Sequence, residues 1–262
     1  MTDFYKYSAT GNDFIIIDNR QENFQADNSA FWQKLCARRT GIGADGALLL
    51  EESEKADFKM RYINSDGSIA SMCGNGARAI VHFAHHVLNL KEELLYLFET
   101  DNNLYSAEIN GNEIKLSMTE INDIGKIDLS CFKEYEHSLY LNTGVPHVVF
   151  HVKNDVDNHE ILKKSANIAH HELFKNGVNV NFFSVISQGK IRLRTYERGV
   201  EDETLSCGTG ATASAIACTH FFGWKDSIEV CTSGGKLEII FDENFKNVCL
   251  RGKAELIYQG HF

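Results

Sequence analysis

Proline is almost missing: Pro146 is the only one in 262 residues, and no serine-rich stretch replaces it, so no linker of either kind marks a boundary in the chain. No Cys-x-x-Cys occurs, and the seven cysteines make an odd count. Both facts argue against a disulfide framework and a structural zinc site, and for a reducing cytoplasmic setting. Long apolar runs are absent too. The longest, such as Phe14-Ile17 and Ala47-Leu50, are far too short to span a bilayer, and Met1 to Thr10 lacks the apolar core of a targeting segment. Cations are in deficit, 26 Lys and Arg against 36 Asp and Glu, for a net charge of −10. That balance disfavours nucleic acid or an anionic membrane as partner and is read as ordinary solubility. No lysine carries a pyridoxal phosphate signature, so no cofactor is expected.

What the chain does contain is a repeated cysteine-glycine phrase. Met72-Cys73-Gly74-Asn75-Gly76-Ala77 returns 134 positions later as Ser206-Cys207-Gly208-Thr209-Gly210-Ala211. Weaker echoes fall at nearly the same offset. Thr10-Gly11-Asn12-Asp13-Phe14 matches Thr143-Gly144-Val145-Pro146-His147, and Gly43-Ala44-Asp45 matches Gly177-Val178-Asn179. Tyr62 and Tyr196 each precede their cysteine by the same interval. These point to duplication of a half-chain unit, hence two pseudo-symmetric halves.

Strand signals dominate. They cover Phe14-Asp18, Asp57-Ile63, Leu94-Thr100, Leu104-Ile109 and Glu113-Met118, then Leu139-Asn142, His147-Val152, Val178-Ile186, Lys190-Glu197, Ser227-Cys231, Leu237-Phe241 and Asn247-Tyr258. Asn110-Gly111-Asn112 and Ser233-Gly234-Gly235 read as turns between them. Helices are expected at Ser29-Arg39 and Asn158-His170, and after each cysteine phrase, where Ala77, Ile80, Val81, Ala84, Val87 and Leu88 share one face. The second of these, from Ala211 to Phe222, is small or apolar all round, so a sheet should wrap it, and Gly223 is placed to end it. The expected fold class is α/β of the α+β type, each half a curved mixed sheet around a central helix. The expected domains are 1–118 with about 251–262, carrying Cys73, and 119–250, carrying Cys207, with the active site in the cleft between them.

A thiol at a helix N-terminus is biased toward thiolate, because unpaired N–H groups and the helix dipole favour negative charge there. The glycines let the backbone approach a ligand, and the N-terminal N–H groups of Gly74, Asn75, Gly208 and Thr209 suit a carboxylate. Holding a carboxylate this way acidifies the neighbouring Cα–H. A thiol titrates close enough to neutrality for one sulfur to take a proton while the other gives one. The chemistry suggested is inversion at a carbon alpha to a carboxylate.

Six motifs in one order carry a resemblance that covers the whole chain: Thr10-Gly-Asn-Asp-Phe14, Gly41-Ile-Gly-Ala-Asp-Gly46, Asn64-Ser-Asp-Gly67, Met72-Cys-Gly-Asn-Gly76, Tyr196-Glu-Arg-Gly199 and Cys207-Gly-Thr-Gly210. They resemble the diaminopimelate epimerases, cofactor-independent enzymes that interconvert LL- and meso-2,6-diaminopimelate. The resemblance implies Cys73 and Cys207 as the acid/base pair, with His147 linked to the first thiol and Glu197 to the second. It implies that Asn12, Asn64, Asn179, Glu197 and Arg198 hold the polar groups of the substrate, Arg198 gripping the distal carboxylate. It also implies a homodimer in the lysine and peptidoglycan route. Two positions depart from a common pattern of that family: Val145 stands where many members have asparagine, and Gly46 where some have glutamine. The Val145 side chain has no hydrogen-bonding group, so one substrate contact is lost or replaced.

Cys36, Cys131, Cys218, Cys231 and Cys249 are read as packing residues. His82, His85 and His86 are read as a solvated helix face and not as metal ligands, as are His170 and His171. Glu201-Asp202-Glu203 is read as a solvated loop. Two other readings stay open: a related cofactor-independent racemase of another amino acid, and a thiol redox or ligand-binding protein in which Cys73 and Cys207 cycle as a disulfide.

Overall fold

The computed structural model describes residues 1–70, 72–101, 103–158 and 160–262. In chain order the elements are β1 (Asp3–Ala9), β2 (Asn12–Asp18), α1 (Ser29–Cys36), β3 (Gly46–Glu51), β4 (Phe58–Asn64), β5 (Ile69–Ala70), α2 (Gly74–His86), β6 (Leu95–Glu99), β7 (Leu104–Asn110) and β8 (Glu113–Ser117). There follow β9 (Ser138–Asn142), β10 (Pro146–His151), α3 (Ile161–Ala169), β11 (Asn179–Ser187), β12 (Lys190–Glu197), β13 (Asp202–Thr204), α4 (Gly208–Phe222), β14 (Ser227–Thr232), β15 (Gly235–Phe241), β16 (Val248–Lys253) and β17 (Glu255–His261). The chain forms two compact units, Met1–Ser117 with Gly252–Phe262, and Met118–Arg251.

In the first unit β1 is antiparallel to β2, β2 parallel to β3, β3 antiparallel to β4, β4 parallel to β6, and β6 antiparallel to β7. The second unit repeats that order with β9, β10, β11, β12, β14 and β15. The short strands β5 and β13 lie antiparallel to β4 and β12. Each sheet curves around one helix. In the first unit α2 packs on β1, β2, β3, β4, β7 and β8, and in the second α4 packs on β9, β10, β11, β12, β14 and β15.

Both faces of the central strands are covered, which is why they read as unbroken apolar runs. Ile15, Ile17, Ala47 and Leu49 pack on Trp32 and Cys36 of α1, while alternate residues of the same strands face α2. In the second unit Leu193, Ile191, Val149 and Phe183 pack on Ala211, Ala215 and Cys218 of α4. Val148, Phe150, Val180 and Phe182 face the other way, toward Ile168 and Ala169 of α3. Small side chains all round α4 let the sheet close on it, and Gly223 ends it at φ 69° with its N–H on Thr219 O.

Several expectations shift. β1 is a strand that the sequence pattern does not announce: its alternation is broken by Lys6, which is buried against Asp13 at 2.7 Å. β3 appeared only as an apolar run. Helix α1 stops at Cys36, short of Arg39, because Ile42, Gly43 and Ala44 send their N–H groups back to Leu35 and Cys36 carbonyls. A Cβ on Gly41 would lie 2.2 Å from Lys34 O, so that return requires glycine. The expected helix Asn158-His170 is narrower, Ile161–Ala169, preceded by a 3₁₀ turn at Val156–Asn158; the part of that expectation on His159 lies outside the described residues. The expected strand Asn247-Tyr258 is two strands, parted at the buried Ala254. Asp202 to Thr204 is strand rather than loop, with Glu203 paired to Arg194.

Candidate active site

Two half-sites result, one in each unit. In each a cysteine is the N-cap of the central helix. Cys73 Sγ accepts from Gly76 N at 3.4 Å, and Cys207 Sγ accepts from Gly210 N at 3.4 Å. Both residues have extended backbone, so each sulfur sits where a capping oxygen normally does, among the N–H groups that a helix start leaves without intrahelical partners. Gly74 and Asn75, and Gly208 and Thr209, are the first residues of α2 and α4.

Asn12, at the start of β2, approaches Cys73. Its Oδ1 lies 3.7 Å from the sulfur and accepts from Asn75 Nδ2 at 3.4 Å. Its own amide donates to Asp45 Oδ2 at 2.6 Å. Asp45 and Asp13 are clamped by Arg38, at 2.5 and 2.8 Å, and Lys6 completes the cluster on Asp13. Burial raises the Asp13 carboxyl, but the hydrogen bonds and charges of Arg38 and Lys6 outweigh it and hold the group at about 2. Asn12 is thus fixed by an ion cluster on the turn between strands. Asn64 ends β4 and donates to Ser68 Oγ at 3.0 Å. Gly46 lies under the Tyr62 ring: a Cβ there would be 2.6 Å from Tyr62 Cε2 and from Ile63 O, so no larger side chain fits without displacing both.

In the second unit three neighbouring strands aim polar residues at the α4 face. His147 lies opposite Asn179 in the β10–β11 pair, and Val180 opposite Tyr196 in the β11–β12 pair, which sets Asn179 beside Glu197. Asn179 Oδ1 accepts from the Arg198 backbone N–H at 3.0 Å. The Arg198 guanidinium rests on the carbonyls of Asn176 and Gly177, at the exposed rim. Glu197 Oε1 accepts from Thr204 Oγ1 at 2.5 Å. Cys207 Sγ lies 3.4 Å from Thr209 Oγ1.

His147 is fully buried. Burial, with the Arg198 charge adding to it, pushes the imidazole down to about 3, so the ring is neutral at neutral pH. Asn181 donates through Nδ2 to His147 Nδ1 and to Val148 O, each at 3.0 Å, and accepts from Thr195 Oγ1 at 3.0 Å. That network assigns the imidazole proton to Nε2, which has no hydrogen-bond partner among the described residues. Asn181 was not singled out from sequence. The available signal was its place two residues after Asn179, on the same face of a strand.

Because His147 must protonate when the chain unfolds in acid, it links stability to pH. The folded value lies below the ordinary one, so its contribution is constant above about 6.5 and stability is lost as pH falls toward 3. His147→Gln removes one such proton. We expect denaturant unfolding at pH 4 to 6 to show a slope shallower by about 1.4 kcal/mol per pH unit in the variant. Identical slopes would mean that the ring is protonated in the folded state.

His82, expected on a solvated face, is buried between Tyr7 OH and Asn112 Oδ1, both at 3.2 Å. The sheet curls far enough round α2 to cover it. His86 is exposed. Among the described residues no three of His, Cys, Asp and Glu converge as a metal site, and no helix is long and apolar enough to cross a membrane.

Comparison with known proteins gives the family and the fold. The family model "Diaminopimelate epimerase" matches residues 4–124 and 139–257. The chain is 42% identical to the diaminopimelate epimerase of Flavobacterium psychrophilum, over 97% of this chain and 98% of that one. It is 39% identical to that of Aquifex aeolicus, over 98% and 96%. Solved structures share the fold at low identity. A Bacillus anthracis phenazine biosynthesis protein of the PhzF family superposes with TM-score 0.74 at 16% identity, covering 99% and 98% of the two chains. A hydroxyproline epimerase from Agrobacterium vitis does so with TM-score 0.65 at 16% identity, covering 99% and 91%. On the strength of the family match and of relatives this similar over nearly their whole length, the chain belongs to the diaminopimelate epimerase family.

Proposed function

We infer that the protein is an isomerase that converts LL-2,6-diaminopimelate to meso-2,6-diaminopimelate in lysine biosynthesis, using Cys73 and Cys207 as its proton acceptor and donor. The observation that carries the two-sulfur scheme is the equivalence of the half-sites: each sulfur caps a helix whose first N–H groups suit a carboxylate. Inversion requires removal of the Cα proton from one face and delivery to the other. One thiolate takes the proton and the electron pair stays on carbon, delocalised into the carboxylate. The other thiol then protonates that carbon, and the roles are exchanged for the reverse direction.

The surrounding groups have separable tasks. N–H groups of Gly74, Asn75, Gly208 and Thr209 stabilise charge developing on the α-carboxylate. Asn12, Asn64, Asn179 and Glu197 engage ammonium and carboxylate groups, and Arg198 takes the distal carboxylate once it leaves the Asn176 and Gly177 carbonyls. His147, neutral and held by Asn181, and Glu197, held by Thr204, orient the site around the thiols. The reading includes a homodimer and a cytoplasmic location. The latter is supported by the sequence, whose odd cysteine count and lack of Cys-x-x-Cys suit a reducing compartment.

The test is turnover of LL-diaminopimelate in deuterated water. Product meso isomer should carry deuterium at the inverted Cα, and no added cofactor should be needed. A panel of other amino acids, followed by chiral chromatography, decides substrate class; inversion of one of them with none of diaminopimelate would overturn the assignment. Val145 makes that panel worth running, since its side chain offers no hydrogen bond where many members of the family have asparagine.

A further inference from the structure

Among the positions at which the half-sites differ, one lies inside the central helices. Arg78 of α2 and Thr212 of α4 stand 134 residues apart, the same interval as the two cysteines, and both are fully buried. Each bonds the carbonyl that opens its helix: Arg78 Nη1 donates to Gly74 O at 3.3 Å, and Thr212 Oγ1 to Gly208 O at 3.0 Å. One half thus holds a guanidinium where the other holds a neutral hydroxyl.

Arg78 has no carboxylate partner among the described residues. Its Nη2 donates to Thr10 Oγ1 at 2.7 Å and Asn75 Oδ1 at 3.0 Å, and its Nε has no hydrogen-bond partner among the described residues. A buried cation without a counter-ion is costly. The charge acting on it is the sulfur of Cys73, which partly offsets the pull of burial toward deprotonation; Arg78 still stays charged near neutral pH. That coupling is reciprocal, so the guanidinium favours ionised sulfur at Cys73. Its hydrogen bonds also fix Gly74, Asn75 and Thr10, the backbone and amide around that sulfur.

The other groups packed on α2 leave this charge in place. Burial raises the phenols of Tyr5, Tyr7, Tyr96 and Tyr105, so they are neutral, and Tyr62 adds another phenol on β4. Burial also lowers His82 and His85, with Glu255 acting on His82. Asp13 and Asp45 are taken up by Lys6 and Arg38. Around α4 the corresponding groups are His147, neutral, His151, lowered by burial, Glu197 on Thr204, and Arg198, whose guanidinium sits on Asn176 and Gly177 carbonyls. On β14 and β15, Glu229 pairs with Lys190 and Lys236, and Glu238 with Arg251.

We propose that Arg78 is a positioning residue whose buried charge makes Cys73, and not Cys207, the thiolate of the resting enzyme. The duplicated half-sites are then unequal before substrate arrives: one sulfur starts as base, the other as acid. The proposal rests on the two-sulfur reading of function but is measured without turnover.

The experiment is pulsed iodoacetamide alkylation of the reduced, substrate-free protein from pH 5 to 10, with each cysteine quantified by peptide mass spectrometry. In the unaltered protein the rate midpoint of Cys73 should fall below that of Cys207. Arg78→Gln should move the Cys73 midpoint up by about one pH unit and leave that of Cys207 in place. Arg78→Lys, which keeps the charge, should keep the Cys73 midpoint low. Equal midpoints in the unaltered protein, or a lower one for Cys207, would overturn the proposal even if Arg78→Gln fails to fold. A purely structural role predicts that Arg78→Gln leaves the Cys73 midpoint where it was, and that result would overturn it too. Should Cys73→Ala turn over normally, the functional reading fails while the ionisation result stands.

Discussion

Cys73→Ala and Cys207→Ala are each expected to lower kcat by about 10²- to 10⁴-fold, the scale of losing a positioned acid or base. The loss should not trace to misfolding. Both cysteines are N-caps, and removing a cap costs on the order of 1 kcal/mol, far less than a domain's stability. Serine separates the two effects more sharply. Its hydroxyl is among the preferred N-caps, so Cys73→Ser and Cys207→Ser should keep or slightly raise the melting temperature. Yet a hydroxyl hardly ionises near neutral pH, so turnover should be lost all the same. The other thiols serve as controls. Cys131 is exposed on the chain between β8 and β9, and burial pushes the Cys36 thiol up to about 11, out of range for proton transfer at neutral pH. Cys131→Ala should leave kcat unchanged. The measurement is LL- to meso-diaminopimelate conversion by chiral chromatography, alongside thermal melts. Normal turnover by either single variant would end the two-sulfur scheme.

The parts of this fold that were legible in sequence are those set by local chemistry. A cysteine followed by Gly-x-Gly before an apolar helix announces its own place at the helix start, and the all-round smallness of Ala211 to Ala217 announces a helix enclosed by sheet. Turns at Gly111 and Gly234 were equally local. What stayed hidden depends on partners distant in the chain. Lys6 breaks the alternation of β1 because its charge is matched by Asp13, across a turn. His82 looks like part of a polar face until the sheet covers it. Asn181 is one of many asparagines until strand register brings it to His147 and Thr195. The exchange of Arg78 for Thr212 is visible in the duplicated sequence, but its meaning rests on burial, which no pattern of spacing reveals.

Gly210 carries the second large expectation, and the near-repeat at Gly76 supplies its control. A Cβ on Gly210 would lie 2.4 Å from Asn181 Oδ1, 3.1 Å from Thr195 Oγ1 and 3.3 Å from Cys207 Cβ. None of these has room to retreat. Asn181 is fully buried and bonded at both ends of its amide, to Val148 O, His147 Nδ1 and Thr195 Oγ1. Moving its oxygen rotates the amide that orients His147 and shifts the wall behind Cys207. Gly210→Ala should therefore cost about 1–3 kcal/mol of stability and lower kcat by about 10²-fold, since misplacement on the order of 1 Å is enough for that. At Gly76 the nearest atom to the added Cβ is the Leu48 Cδ2 methyl, 3.1 Å away, on a side chain that yields by a few tenths of an ångström. There the strain is small, and alanine's helix preference of up to about 1 kcal/mol over glycine offsets it. Gly76→Ala should change stability by less than about 1 kcal/mol and retain at least about ten times the activity of Gly210→Ala. Thermal melts and steady-state kinetics on the two variants decide the matter. Equal damage at both positions would mean that the Asn181 network does not hold the second half-site in register, and that the glycines act alike, only through backbone freedom at the helix start.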